Sequence, residues 1–218
     1  FPLVDSVVRR SFIATGGTVL ATKLALNYGI ACNTAGGSHH ATSNEGAGFC
    51  VFNDVAVAAK YLTTRGLANR ILIIDLDVHQ GNGNSEIFKN DNQVFTFSMH
   101  SKVNYPAKKS VSDLDIELEE NLEDREYIDI LKNNLKNLNE EEFDFVFYIA
   151  GVDIHYNDRL GKLKISDNGI FERDELVIDN FFSNKIPICG VLGGGYNEDF
   201  NKLVELHSSL HKTCAKFL

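Results

Sequence analysis

Residues 70–83 read RILIIDLDVHQGNG, and this stretch decides the fold. Ile71–Ile74 is a short, wholly apolar, Ile-rich run, which predicts a strand buried on both faces of a parallel sheet. It passes without a linker into Asp75, Asp77 and His79. These three alternate, so in an extended segment their side chains start on one side of the backbone. Open α/β sheets build ligand sites at the carboxyl ends of their strands, and this strand ends on acids and an imidazole.

Four more apolar runs share the pattern. Strands are expected at residues 30–33, 70–75, 93–98, 143–149 and 187–192, alternating with amphipathic stretches. Helices are expected at 9–27, closed by Gly29, and at 54–64, capped by Asn53 and ended at Gly66. Tyr127, Ile128, Leu131, Leu135 and Leu138 form a 3.6-residue stripe over 124–138, and helices at 169–182 and 198–215 complete the set. The acidic stretch 113–126 reads as a solvated surface excursion. The expected architecture is a three-layer α/β/α domain with a mainly parallel sheet, occupying residues 1–218 as one unit. Each strand is followed by an unusual polar cluster. Gly36-Gly37-Ser38-His39-His40 follows the first, Ser98-Met99-His100 closes the third, Ala150-Gly151-Val152-Asp153 follows the fourth and Gly193-Gly194-Gly195-Tyr196 the fifth. Scattered structural polar residues would not sort to one end of every strand.

With 21 basic against 30 acidic residues the chain has a formal charge of -9, which argues against non-specific nucleic-acid binding. No apolar run reaches the roughly 18 to 20 residues that span a bilayer, and no signal peptide opens the chain, so a cytoplasmic location is expected. Cys32, Cys50, Cys189 and Cys214 show no CxxC spacing and read as small buried hydrophobes in a reducing compartment. The chain opens on Phe1 and its one methionine is Met99, so an N-terminal portion is expected to be missing.

The clusters permit a specific chemistry. Carboxylates as close as Asp75 and Asp77 repel unless a cation lies between them. With Asp153 as a third oxygen donor, an Asp-His-Asp set leaves a position open for water, the pattern of a catalytic zinc site. Such an oxygen-rich set also suits Fe2+, manganese or cobalt. The plainer reading has the acidic pair capping the following turn and His79 as a loop residue. His39 and His40 sit among glycines, where one ring can be charged and the other free to move a proton. Tyr196, after three glycines, can donate a hydrogen bond to an oxyanion, or can simply plug a glycine-rich turn. These parts suit metal-assisted hydrolysis of an amide without a serine or cysteine nucleophile.

GGSHHA, GFCVFND, DLDVHQGNG, AGVD followed by Asp158-Arg159-Leu160-Gly161, and GGGY run in order from Gly36 to Tyr196. In this series the chain resembles the histone deacetylase family, whose fold is arginase/deacetylase-like, and it looks most similar to the class IV branch and to bacterial acetylpolyamine amidohydrolases and acetoin-utilisation proteins. The resemblance implies Asp77, His79 and Asp153 as Zn2+ ligands, His40 as general base and acid, and His39 as its electrostatic assistant. It implies Asp75 as the carboxylate behind His39, Asn82 as the residue behind His40, and Tyr196 as the carbonyl-polarising phenol. Gly48 and Phe49 match one wall of an acyl-lysine tunnel, Tyr105 the opposite wall, and Gly194 a further substrate contact. A structural monovalent cation such as K+ is implied near Asp75, Asp77 and Ser98. The implied substrate is an acylated lysine or polyamine, and oligomeric state is not written in the sequence.

Two departures from the family pattern stand out. Asn82 replaces a frequent aspartate, which should lower the pKa of His40, so that Asn82→Asp would raise the pH optimum or its alkaline limb. Family members also carry sequence before the first helix that supplies a strand and rim loops. An inactive acyl-lysine-binding module remains an alternative, as does a dimanganese ureohydrolase, although the chain reads GGSHH and DVHQG where that family has GGDHS and DAHxD. His155, His207 and His211 receive no role, and the last two are expected at the surface of their helix.

Overall fold

The structure is a computed structural model that describes residues 3–217. In chain order the elements are α1 (Asp5–Tyr28), β1 (Ile30–Cys32), α2 (Asp54–Thr64), β2 (Ile71–Asp75), α3 (Asn82–Phe88), β3 (Val94–Ser101) and β4 (Leu114–Leu118). They continue with α4 (Asp124–Leu138), β5 (Phe145–Ile149), α5 (Asp167–Phe182), β6 (Ile188–Val191) and α6 (Phe200–Cys214), ending in a 3-10 turn at Ala215–Phe217. The six strands form one sheet in the order β1-β6-β5-β2-β3-β4, and every pairing is parallel.

Strand β2 shows why the sheet is buried on both faces. Ile71 and Ile73 enter one apolar cluster with α1 and α2, while Leu72 and Ile74 enter the other with α4, α5 and α6. Strand β5 repeats this division, with Phe145, Phe147 and Ile149 on the first side and Val146 and Tyr148 on the second. The period of two along a strand makes the division unavoidable once helices cover both faces. Each such side chain taken fully from water contributes roughly 1.5–3 kcal/mol. Asn53 caps α2 by accepting from the Ala56 amide at 2.9 Å, and Ser166 caps α5 through the Gly169 amide at 3.2 Å. Such caps are typically worth about 1 kcal/mol each.

The order of strands makes the site. From β2 the chain steps to β3 and β4 on one side, then crosses back to β5 on the other. Asp75 and Ile149 are paired across the β2–β5 boundary, so the residues following both strands emerge side by side at the switch point.

The sequence reading needs three corrections here. The stretch 113–126 is not a solvated excursion, because it contains edge strand β4 and the buried Leu118 and Leu122. Glu117, Glu119 and Glu120 are exposed at this edge, which is why charge hid the strand. The helix α3 over 82–88, entered through Gly81-Asn82-Gly83, was not anticipated, its apolar contribution being limited to Ile87 and Phe88. His100 does not close β3 but lies within it, since β3 runs on to Ser101 to pair with β4. The expected parallel sheet is there, with every pairing parallel.

Candidate metal centre

Asp77 and His79 leave the end of β2, and Asp153 leaves the end of β5, so two neighbouring strand ends deliver three donors to one point. Nδ1 of His79 lies 3.0 Å from Asp77 Oδ1 and 3.0 Å from Asp153 Oδ2. All three residues are buried, and they form the one group of metal-ligating type found among the described residues. Backbone amides aim the carboxylates. Val78 donates to Asp153 Oδ1 at 2.9 Å, and Gly194 donates to Asp77 Oδ2 at 2.6 Å. A Cβ at Gly194 would run into the Asp153 carboxylate, so only glycine permits this close approach.

The electrostatics of the trio call for a cation. Burial opposes charge on His79, yet hydrogen bonds and charges from Asp153 and Asp77 lift it to about 10. Burial, then the neighbouring Asp77, pushes Asp153 up to about 7. Burial also works against the Asp77 anion, but charged His39 and the contacts of His79 outweigh it and hold Asp77 well below the usual carboxylate range. A proton on His79 thus fills a place where two buried carboxylates demand positive charge. One nitrogen and two carboxylate oxygens in a dry pocket fit a divalent metal, which would displace that proton.

Beside the trio lie the two consecutive histidines. Asp54 fixes their loop, accepting the amides of Gly37 at 3.2 Å and Ser38 at 2.8 Å. His39 Nδ1 lies 2.6 Å from Asp75 Oδ2, and its Nε2 lies 3.8 Å from Asp77 Oδ1. Burial penalises a charged His39, but Asp75 and Asp77 outweigh that and raise it to about 9. His40 Nδ1 lies 2.7 Å from Asn82 Oδ1. Burial and the charge on His39 drive His40 down to about 3. With the amide oxygen of Asn82 accepting, the neutral His40 ring carries its proton on Nδ1 and presents an unprotonated Nε2.

A cavity of about 160 Å³ opens over these rings, bounded also by Gly48, Phe49, Gly194 and Tyr196. Gly48 has φ 50°, and a Cβ there would strike the His40 ring. Phe49 stands 6.1 Å from the Tyr196 ring, and Tyr105 meets His40 edge-on with centroids 4.8 Å apart. Tyr196 lies 6.2 Å from the His79 ring, its amide bound to Asp158 Oδ2 at 2.6 Å, and burial raises its phenol above the ordinary value. At the strand ends, Ser98 is paired with Asp75 across β2 and β3, and its hydroxyl contacts His100 Nδ1 at 2.9 Å.

Every residue that the sequence reading assigned to the site therefore lies at this end of the sheet. Several that it did not assign are here too. Val7, Arg10, Ser11 and Ala14 of α1 line the same cavity, and nothing in an amphipathic helix signals that. Arg173 is fully buried, bonded to Asp174, and donates to the Gly151 carbonyl at 2.5 Å, under the turn that bears Asp153. An Arg-Asp pair on the apolar side of α5 was the available signal. His207 is not a surface residue. It is half-buried against the Gly195 backbone, and burial with the charge of Arg173 lowers it to about 4. His211 is likewise half-buried, and the nearby Cys32 raises it above its ordinary value. His155 is buried with Nε2 2.9 Å from Asp167 Oδ1, away from the centre.

Residues 1–210 match the family model of the histone deacetylase domain. The chain is 50% identical over 212 residues to an uncharacterized protein of Picosynechococcus sp., covering 97% of this chain and 71% of that protein. It is 37% identical over 194 residues to histone deacetylase 2 of Arabidopsis thaliana, covering 87% of this chain and 50% of that one. The chain thus spans about half the length of that curated deacetylase. Among solved structures, acetylpolyamine aminohydrolase from Burkholderia pseudomallei superposes with a TM-score of 0.82 at 21% identity, over 96% of this chain and 63% of that one. At that identity the likeness is one of fold.

Proposed function

The chain belongs to the histone deacetylase family, and on that premise we propose that it hydrolyses the amide of an acylated amine with a Zn2+ ion held by Asp77, His79 and Asp153. The observation that carries this reading is the buried trio at the switch point, with the Nε2 of a neutral His40 beside it. A bound metal of this kind supplies Lewis acidity to the amide carbonyl and lowers the pKa of water. Fe2+ remains a second candidate for the same donors.

The protein's own groups do the rest. His40, its Nδ1 held by Asn82, accepts a proton from the attacking water on Nε2 and returns it to the amide nitrogen as the C–N bond breaks. The products are a carboxylate and a free amine. His39, kept charged by Asp75 and Asp77, stabilises the negative charge that develops nearby. Tyr196 donates its hydroxyl proton to a hydrogen bond with the carbonyl oxygen, and its raised pKa keeps it protonated for that role. Gly48, Phe49 and Tyr105 flank the acyl chain, and Gly194 both lines the cavity and aims Asp77. A K+ ion near Asp75, Asp77 and Ser98 is part of the proposal, supported by the two buried carboxylates next to the buried Ser98, which is paired with Asp75.

Acylated lysine and acylated polyamine are the substrate classes proposed, since the cavity of about 160 Å³ is lined by His39, His40, Phe49 and Tyr196. No helix among the described residues is long and apolar enough to cross a membrane. Together with four free cysteines, this supports the cytoplasm as the proposed location. The test is hydrolysis of fluorogenic acyl-lysine and acyl-polyamine panels by zinc-loaded protein, with metal content measured in parallel. Asp153→Ala is expected to lose both metal and activity. Tyr196→Phe is expected to keep the metal and lose about a hundredfold or more in kcat. Full activity in either variant overturns the assignment.

A further inference from the structure

A second group of reactive side chains lies away from the metal centre. Cys32 is the last residue of β1 and Cys214 the last of α6. Although 182 positions apart in the chain, their sulfurs are 2.9 Å apart. Strand pairing sets up this approach. Cys32 is paired with Gly190 of β6, where a Cβ would meet the Cys32 sulfur at 3.0 Å and the Leu210 side chain at 3.1 Å, so glycine leaves room for the sulfur and for α6. His211 precedes Cys214 by three positions on α6, on the same side of the helix, and lies near enough to Cys32 for each to shift the other's ionisation.

The group has the features of a reactive dithiol. The Cys214 contact lowers Cys32 to about 6, against burial and with help from His211, which favours its thiolate. Burial has the opposite effect on the other two cysteines, holding Cys50 at about 12 and raising Cys189 further. Cys189 is also on the far side of the sheet, in the cluster with α1 and α2, and so faces away from Cys32. Cys32 is half-buried, within reach of a small oxidant. The three donors do not make a metal group, since the one such group among the described residues is the Asp77-His79-Asp153 trio.

We propose that Cys32 and Cys214 form a reversible disulfide when the protein meets a hydroperoxide, joining the end of β1 to the end of α6. In the first step the Cys32 thiolate attacks a peroxide oxygen. An S–O bond forms, the O–O bond breaks, and the released oxygen takes a proton and leaves as an alcohol, or as water from hydrogen peroxide. In the second step the Cys214 sulfur attacks the sulfenic sulfur of Cys32. The S–S bond forms, the S–O bond breaks, and hydroxide leaves as water with the Cys214 proton. Two thiols are oxidised by two electrons and one peroxide is reduced. The bond would join the strand that runs into His39 to the helix that follows Tyr196. This proposal stands independently of the deacylase reading, and its readout does not use activity.

The experiment treats the metal-loaded chain with stoichiometric hydrogen peroxide at pH 7, blocks remaining thiols, and measures intact mass and non-reduced peptides. Two of the four free thiols are expected to disappear. The mass should fall by about 2 Da before blocking, a Cys32–Cys214 linked peptide should appear, and dithiothreitol should reverse both changes. Four remaining thiols, a bridge through Cys50 or Cys189, or a Cys32 sulfinic acid without a bridge would overturn the proposal. In Cys214→Ser the Cys32 sulfenic acid should persist and be trapped by a dione probe, whereas its absence would count against the first step. In the unmodified chain, iodoacetamide should label Cys32 about tenfold faster than Cys50 at pH 7, and equal rates would likewise sink the idea.

Discussion

His39 and His40 are consecutive, equally hidden from solvent, and have ring centroids 4.0 Å apart, yet the structure gives them opposite characters. His39 faces the carboxylates of Asp75 and Asp77 and is raised to about 9. His40 faces the neutral amide of Asn82 and the charge of His39, and falls to about 3. Burial lowers both, so the partner decides. One ring is a fixed positive charge and the other a free base, from the same residue type in the same loop. Catalysis needs both roles, and the difference between a carboxylate and an amide at 2.6 and 2.7 Å separates them.

The strongest way to break this comparison is to remove the base. His40→Ala is expected to lower kcat about a thousandfold while metal content is unchanged. If His39 were instead the proton carrier, Asp75→Asn would cost more than His40→Ala, and the two roles would have to be exchanged.

Asp75→Asn is expected to cost about ten- to a hundredfold in kcat, by making His39 neutral and loosening the loop. It also has a signature in stability. The folded pKa of His39 lies above its ordinary 6.5, so its contribution is fully present below pH 6.5 and lost as pH rises through about 9. His40 is depressed from 6.5, so its contribution is present above pH 6.5 and lost as pH falls towards about 3. In denaturant titrations of metal-free protein, Asp75→Asn should therefore flatten the loss between pH 6.5 and 9 relative to the parent. A parallel loss in both proteins would mean that the charge on His39 does not depend on Asp75.

The smallest effect is the most specific. Asn82→Asp puts a carboxylate against His40 Nδ1 and raises the pKa of that ring, so a base that must be neutral loses its proton only at higher pH. The acid limb of the kcat/KM profile should move up by about one unit or more, and the optimum with it. An unchanged profile would show that the ionisation of His40 does not limit the rate.

Much of the fold was legible in the chain. The apolar runs at β2 and β5 had to be central strands, because nothing else buries two faces of so short a segment. The stripe on α4 was equally plain, and its five expected residues are all buried. Strand β4 was not legible, since it is held mainly by backbone pairing to β3 and three of its five residues are only half-buried. His207 and His211 misled because the environment of a helical side chain depends on what the helix packs against. For His207 that is the Gly195 backbone, on the turn before α6. Cys32 and Cys214 read as small buried hydrophobes and do pack in the apolar cluster, but their approach to each other is not visible in the chain.

What the sequence determined by itself is the chemistry available at each strand end, namely acids and imidazole after β2, a histidine pair after β1, an acid after β5 and a phenol after β6. Alternation along a strand and capping residues are local rules, and they also located most elements. Which of these groups meet was decided only by the tertiary structure. His79 and Asp153 are 74 residues apart, His40 and Asn82 are 42 apart, and Cys32 and Cys214 are 182 apart. Side-chain chemistry is written residue by residue, but proximity follows from strand order, and strand order follows from how all the apolar faces are buried together.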